Sequence, residues 1–142
     1  FRMAANAEES LLPMLNAYVR DFSTRTGIQV LWDIHANHLA ELSPDATLQL
    51  SRVIGEALSN VRKHARARSV VLSSTVADDF VGVSVEDDGV GFDMGDAPGE
   101  SEGHFGLRVM AERAALAGGA LRVEGVLTGG TRVTLLVPRG SR

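Results

Sequence analysis

Apolar residues recur at helical spacing near the start of the chain, where Leu11, Leu15, Val19 and Phe22 share one stripe. The pattern predicts a helix over residues 10–26. Ser10 is placed to cap it, Pro13 falls in the tolerant first turn, and Gly27 ends it. Residues 28–34, with Val30 and Trp32, read as a strand, and 35–42 as a connection. Ser43-Pro44-Asp45 is a strong helix start: a cap, a proline at the first position and an acid in the first turn. That helix is expected to reach Ala65, with Leu50, Val53, Ile54, Ala57, Leu58 and Val61 as its apolar face. Residues 69–76 and 80–86 are rich in β-branched side chains, with Asp78-Asp79 as the turn between them.

The chain then changes character. Residues 87–106 are rich in glycine and acid, read as a loop, and are long enough to be functional. A helix is expected over 107–117, stopped by Gly118-Gly119. Two strands, 120–126 and 131–137, are joined by Leu127-Thr128-Gly129-Gly130. Hairpins interleaved with helices predict an α+β fold, a two-layer α/β sandwich with a mixed, mostly antiparallel sheet and helices on one face.

A chain of 142 residues, 44% hydrophobic and 23% charged, fits one globular domain covering 1–142. It has no cysteine, which excludes disulfides and thiolate metal sites. No apolar run approaches the ~18 residues of a membrane span. Net charge is −4, so a general nucleic-acid or anionic-membrane surface is not expected, and any anion site must be local. Lys63 is the only lysine among 14 basic residues. The chain opens Phe1-Arg2-Met3, with neither an initiator methionine nor a signal-peptide pattern, and reads as a piece of a longer protein.

Three segments carry candidate chemistry. On an ideal helix Glu56, Asn60 and Lys63 lie within ~60° of one another, offering a carboxylate, an amide and an ammonium on one stripe. The amide oxygen suits a hard cation such as Mg²⁺, and the ammonium suits a phosphate. Taken alone, the stripe fits a solvated face with a Glu–Lys pair better than a binding site. Asp87-Asp88-Gly89-Val90-Gly91-Phe92 follows a strand, and its glycines allow a sharp turn and close approach to a ligand. A Rossmann fingerprint fails because residue 94 is Met94, and no P-loop lysine motif is present. An EF-hand loop would need ligands where Gly89, Gly91 and Pro98 stand. Gly103-His104-Phe105-Gly106-Leu107-Arg108 opens a helix whose free N–H groups suit a phosphate, with Arg108 adding charge. His35 and His38 have no neighbouring partners in sequence and are assigned no role.

The order of these segments, followed by Gly129-Gly130-Thr131 before the last strand, resembles the Bergerat ATP-binding fold of gyrase, Hsp90, histidine kinases and MutL. The resemblance spans roughly residues 11–138. Glu56-Ala-Leu-Ser-Asn60-Val-Arg-Lys63-His64-Ala is similar to the N box of sensor histidine kinases, and Asp87-Asp-Gly-Val-Gly-Phe to their G1 box. Gly103-His-Phe-Gly106-Leu-Arg-Val-Met-Ala-Glu-Arg-Ala is similar to the G2 box of the NarL/DesK-type subfamily.

The resemblance implies ATP and Mg²⁺ as cofactors and assigns roles by position. Asn60 would coordinate Mg²⁺ between the phosphates, with Lys63 and His64 facing them. Asp87 would bind the adenine amino group, with Thr131 beside it through a water. Gly89 and Gly91 would let the chain pass the nucleotide, and residues 92–103 would form a short ATP lid. Gly103 and Gly106 would flank the phosphate-side turn, with His104, Leu107 and Arg108 as further contacts. Glu56, the water-activating base of hydrolytic relatives, is the remaining catalytic candidate beside Asn60 and Lys63.

The resemblance further implies a partner. Such kinases phosphorylate a histidine on a separate dimerisation domain of the parent protein, and a response regulator receives the phosphoryl group later. None of the four histidines lies in a His-Asp motif on a helix of that character. The fragment is therefore expected to be a cytoplasmic monomer that holds ATP without its acceptor, whether or not the parent is anchored in a membrane. Two alternatives share the fold: an anti-sigma-factor serine kinase and a degenerate nucleotide-binding module.

Overall fold

A computed structural model describes residues 7–90, 102–127 and 129–139. The element order is α1 (Ala7–Thr26), β1 (Gln29–Asp33), α2 (Ala36–Leu39), α3 (Pro44–Asn60), a π-helical turn (Val61–Ala65), β2 (Ser69–Val76), β3 (Phe80–Asp87), α4 (Glu102–Leu116), β4 (Ala120–Gly125) and β5 (Thr131–Pro138).

The first helix starts at Ala7, so Ser10 lies inside it and Pro13 falls in its second turn rather than its first. Of its expected stripe Leu15, Val19 and Phe22 are buried, and the side chain of Leu11 lies outside the described residues. Gly27, at φ +76°, turns the chain out of the helix. The expected connection at 35–42 contains the short helix α2. This helix exists because Leu39 is fully buried and because the His35 N–H at its start donates to Ser74 Oγ at 2.9 Å. α3 opens as read: Ser43 Oγ accepts from the Ala46 N–H at 3.1 Å, with Pro44 in the first turn.

The sheet order is β1-β2-β3-β5-β4. β1 runs parallel to β2, and the other three pairings are antiparallel. Alternate residues point to opposite faces. Val70 and Leu72, then Val81, Val83 and Val85, then Val133, Leu135 and Val137 meet the apolar side of α3 in one core with Leu50, Ile54, Ala57 and Leu58. The other face carries Leu31, Val71 and Leu136 together with small and charged residues. Ser84 and Thr134 share a 2.9 Å hydroxyl contact, and Arg132 pairs with Glu86 at 2.7 Å. The fold is thus the expected mixed, mostly antiparallel sheet with helices on one face. β3 is its middle strand, so Asp87 stands at the centre of one sheet end.

Candidate functional site

α3 delivers Glu56 and Asn60 one turn apart on one side. Glu56 is half-buried; Asn60 is buried, 6% exposed, and its Nδ2 has no hydrogen-bond partner among the described residues. A buried amide without a partner is costly and rare, and such an atom marks where a ligand belongs. The helix does not continue regularly from here. Residues Val61–Ala65 form a π-helical turn, and Arg66 leaves it at φ +53°. Turns of this kind are frequent at functional sites. The 100° step that grouped Lys63 with Asn60 does not hold through the wider turn. Lys63 is exposed and His64 half-buried.

α4 lies across from this stripe. A Cβ on Gly106 would come within 2.8 Å of both Asn60 amide atoms and of Glu56 Oε2. Only a glycine lets α4 approach the two side chains this closely. The expected start of this helix at Leu107 is corrected: α4 begins at Glu102, so Gly103 and His104 lie in its first turn and Gly106 inside it. Packing against α3 outweighs the weak helix propensity of glycine. The N–H groups free at the helix start are therefore those from Glu102 onward. Leu107 packs against the core and Arg108 is exposed. Gly91 and residues 92–101 of the expected 92–103 lid lie outside the described residues, and the lid's last two residues, Glu102 and Gly103, fall in the first turn of α4.

The other half of the site is at the end of β3. Asp87 is buried, 7% exposed. Its Oδ1 accepts from the Gly89 N–H at 2.8 Å, and the carboxylate accepts a second bond from the Thr131 N–H. Burial pushes the Asp87 carboxyl above the usual carboxylate range; the two N–H bonds pull it back in part, and the charges of Asp88 and Glu86 add to the push. A carboxylate has about four acceptor positions, so two bonds leave Asp87 able to receive a donor from a ligand. Thr131 stands beside Asp87 as expected, and its backbone N–H makes the link directly.

Gly130 was not among the expected site residues, yet it shapes this end. It sits at φ +90°, and a Cβ there would strike the Asp87 carbonyl and lie 3.0 Å from Oδ1. The signal in the sequence was the paired glycine directly before Thr131. Asp88, to which the motif assigns no role, lies beside Asp87 at the same strand end.

The residues present fit a nucleotide with a hard cation. Among the described residues, no cluster of three or more His, Asp or Glu side chains could hold a metal by itself. A single amide such as Asn60 matches an ion that takes most of its ligands from phosphate and water.

Comparison with known proteins identifies the family. Residues 45–141 match the model of the histidine kinase-, DNA gyrase B- and HSP90-like ATPases. The signal transduction histidine-protein kinase/phosphatase DegS of Brevibacillus brevis is 33% identical over 96% of this chain and 34% of its own length. The oxygen sensor histidine kinase NreB of Staphylococcus carnosus is 36% identical over 86% of this chain and 34% of its own length. The chain thus spans about a third of these two relatives. Among solved structures, the histidine kinase domain of a blue-light activated kinase from Erythrobacter litoralis superposes with a TM-score of 0.72 at 25% identity, covering 91% of this chain and 61% of that one. The ATP-binding domain of PrrB from Mycobacterium tuberculosis gives 0.58 at 30% identity, covering 67% of this chain and 70% of that one. A Glu-Asn stripe facing a close-packed glycine, a buried acid at the sheet's centre and these matches have one reading: the chain belongs to the histidine kinase-, DNA gyrase B- and HSP90-like ATPase family, as a catalytic domain of the sensor histidine kinase type.

Proposed function

We propose that this domain binds Mg-ATP and presents its γ-phosphate to a histidine on a separate dimerisation domain of the parent protein, in two-component signalling. The observation that carries the reading is the pairing of two half-sites: Glu56, Asn60 and Gly106 at one, and Asp87 with Gly89 and Thr131 at the other. Asp87 accepts the adenine amino group. Asn60 supplies a ligand to the cation, and Lys63 and the α4 start add positive potential for the phosphates. Bound Mg²⁺ shields the phosphate charge and orients the terminal group. Glu56 stands beside Asn60 as the acid that orients what approaches the phosphate. Phosphoryl transfer depends mostly on positioning and electrostatics, so a domain without its acceptor retains binding. DegS and NreB are histidine kinases, which favours this reading over an anti-sigma-factor kinase.

The response regulator enters only afterwards, by taking the phosphoryl group from the histidine. The isolated domain is a cytoplasmic monomer in this reading, and no helix among the described residues is long and apolar enough to cross a membrane. Calorimetry with Mg-ATP tests the binding step, and transfer to a separately supplied dimerisation domain tests the chemistry. Heat of binding and slow transfer in trans are expected. Absence of binding at millimolar ATP would overturn the proposal.

A further inference from the structure

Asp88 follows the buried acid and turns the other way. Its side chain is exposed, yet it is fully engaged with the start of β2. Oδ1 accepts from the Arg68 N–H at 2.8 Å and the Ser69 N–H at 3.0 Å, and Oδ2 accepts from the Ser69 hydroxyl at 2.9 Å. The Asp88 N–H returns a bond to the Ser69 carbonyl at 3.3 Å. These donors, the Ser69 and Arg68 amides first, hold the Asp88 carboxyl below the usual range.

The end of β3 is therefore gripped from both neighbours. Thr131 of β5 holds Asp87 together with Gly89 two residues on, and Arg68 and Ser69 hold Asp88 on the β2 side. Asp88 follows the last residue of β3 directly, so fixing Asp88 restricts the direction of Asp87. The same bonds reach the other half-site. Only Arg66 and Ala67 separate the π turn from Arg68, and Arg66 already has a left-handed backbone. The exit of the turn that carries Lys63 and His64 is thereby anchored to the residue next to Asp87. The sheet does not need this anchor, because the β2–β3 ladder continues from Val70↔Asp87 to Val76↔Val81 without it.

We propose that Asp88 is a positioning residue for the nucleotide: it locks the adenine-side acid Asp87 and the phosphate-side turn Val61–Ala65 into one register while touching neither end of the ligand. The inference rests on the nucleotide reading of Asp87. Two variants of the chain test it. Asp88→Ala removes three acceptor bonds. Asp88→Asn keeps an oxygen for the two N–H groups and can donate its amide to Ser69 Oγ, so it should restore the parent's behaviour.

The readouts are Mg-ATP affinity by calorimetry and hydrogen exchange of single amides. For Asp88→Ala, affinity should fall by about tenfold, the scale of losing a charge-assisted bond. The Gly89 and Thr131 amides should exchange faster, while Val83 and Val85 at the strand centre keep the parent's rates. Parent-like exchange at Gly89 and Thr131 in Asp88→Ala would overturn the proposal, as would equal acceleration at Val83 and Val85 or failure of Asp88→Asn to restore both readouts. Should Asp88→Ala not fold, Ser69→Ala, which removes the hydroxyl bond alone, must show the same local pattern in smaller degree. If the parent chain itself binds no ATP, the nucleotide reading falls and the nucleotide role of Asp88 falls with it, whereas a parent that binds ATP with parent-like exchange in Asp88→Ala overturns this proposal alone.

Discussion

Gly106 of α4 and Asn60 of α3 are packed so closely that one added methyl would reach 2.8 Å from both amide atoms. The atoms in the way are the ends of two side chains, Asn60 and Glu56, and not backbone. This separates two effects that usually go together. Alanine inside a helix is favoured over glycine by roughly 0.5–1 kcal/mol. Gly106→Ala should therefore leave thermal stability near or above the parent's while pushing Asn60 and Glu56 aside and weakening Mg-ATP binding. Thermal melts beside calorimetry check it; a variant that binds Mg-ATP like the parent would remove Gly106 from the site.

Asp87→Asn should show the same separation for an electrostatic reason. An acid whose carboxyl is raised in the folded state binds its proton more tightly there than in the unfolded chain. Its charge thus opposes folding. The penalty is absent below the usual carboxylate range, grows as pH climbs from there through the raised value, and is constant above it. At neutral pH Asp87→Asn should be as stable as the parent or more so, and the difference should vanish in acid. ATP binding should fall by about 1.5–3 kcal/mol, the worth of a hydrogen bond to a charged group. In the parent, affinity should decline on acidification from a pH above that of an ordinary aspartate. A titration of affinity and melting temperature against pH reads both signs.

Gly130→Ala should behave oppositely to Gly106→Ala. Here the obstacle is the Asp87 backbone, and φ is +90°. A left-handed backbone alone costs a side-chain-bearing residue on the order of 1–3 kcal/mol. The turn before β5 must also shift. Denaturant unfolding should show a loss at the upper end of that range or beyond, with ATP binding reduced because Asp87 moves.

Asn60→Ala isolates the cation. The Asn60 Nδ2 is buried without a partner among the described residues, so deleting it strands no acceptor and should cost little stability. Mg²⁺-dependent ATP affinity should drop, while the smaller affinity measured in chelator, carried by Asp87, should persist. Equal affinities for parent and variant in Mg²⁺ would show that the amide is not a ligand.

Much of this architecture was legible in the pattern of apolar residues. The α1 and α3 stripes, the Ser43 cap and the strands recur in the structure because each buries a continuous face. What was not legible was set by contacts distant in sequence. α2 is four residues long and rests on one buried leucine, too little for a periodic signal. The π turn uses residues that an ordinary helix accepts equally, so nothing in their order announces it. α4 begins in a glycine-rich stretch that reads as loop, and only the neighbouring Asn60 and Glu56 explain why glycine sits inside the helix. Within the site, the family resemblance implied Asp87 and Thr131 as neighbours. The grips of Gly130 and Asp88 were not legible, since both depend on which strand ends lie side by side.

The parallel pairing of β1 with β2 has a consequence for how the domain forms. A parallel neighbour requires a crossover, and here α3 and the π turn lie within it. The helix that carries Glu56 and Asn60 is thus a topological part of the sheet, and β1 joins its neighbour only by closing the chain around that helix. Such non-local closure is slow compared with hairpin formation. The β2–β3 hairpin needs no crossover and can form early, placing Asp87 before Asn60 is in place. In evolutionary terms, a descendant of this domain can lose the side chains that hold a nucleotide one at a time, but it cannot shed the helix that bears half of them without also giving up an edge of the sheet.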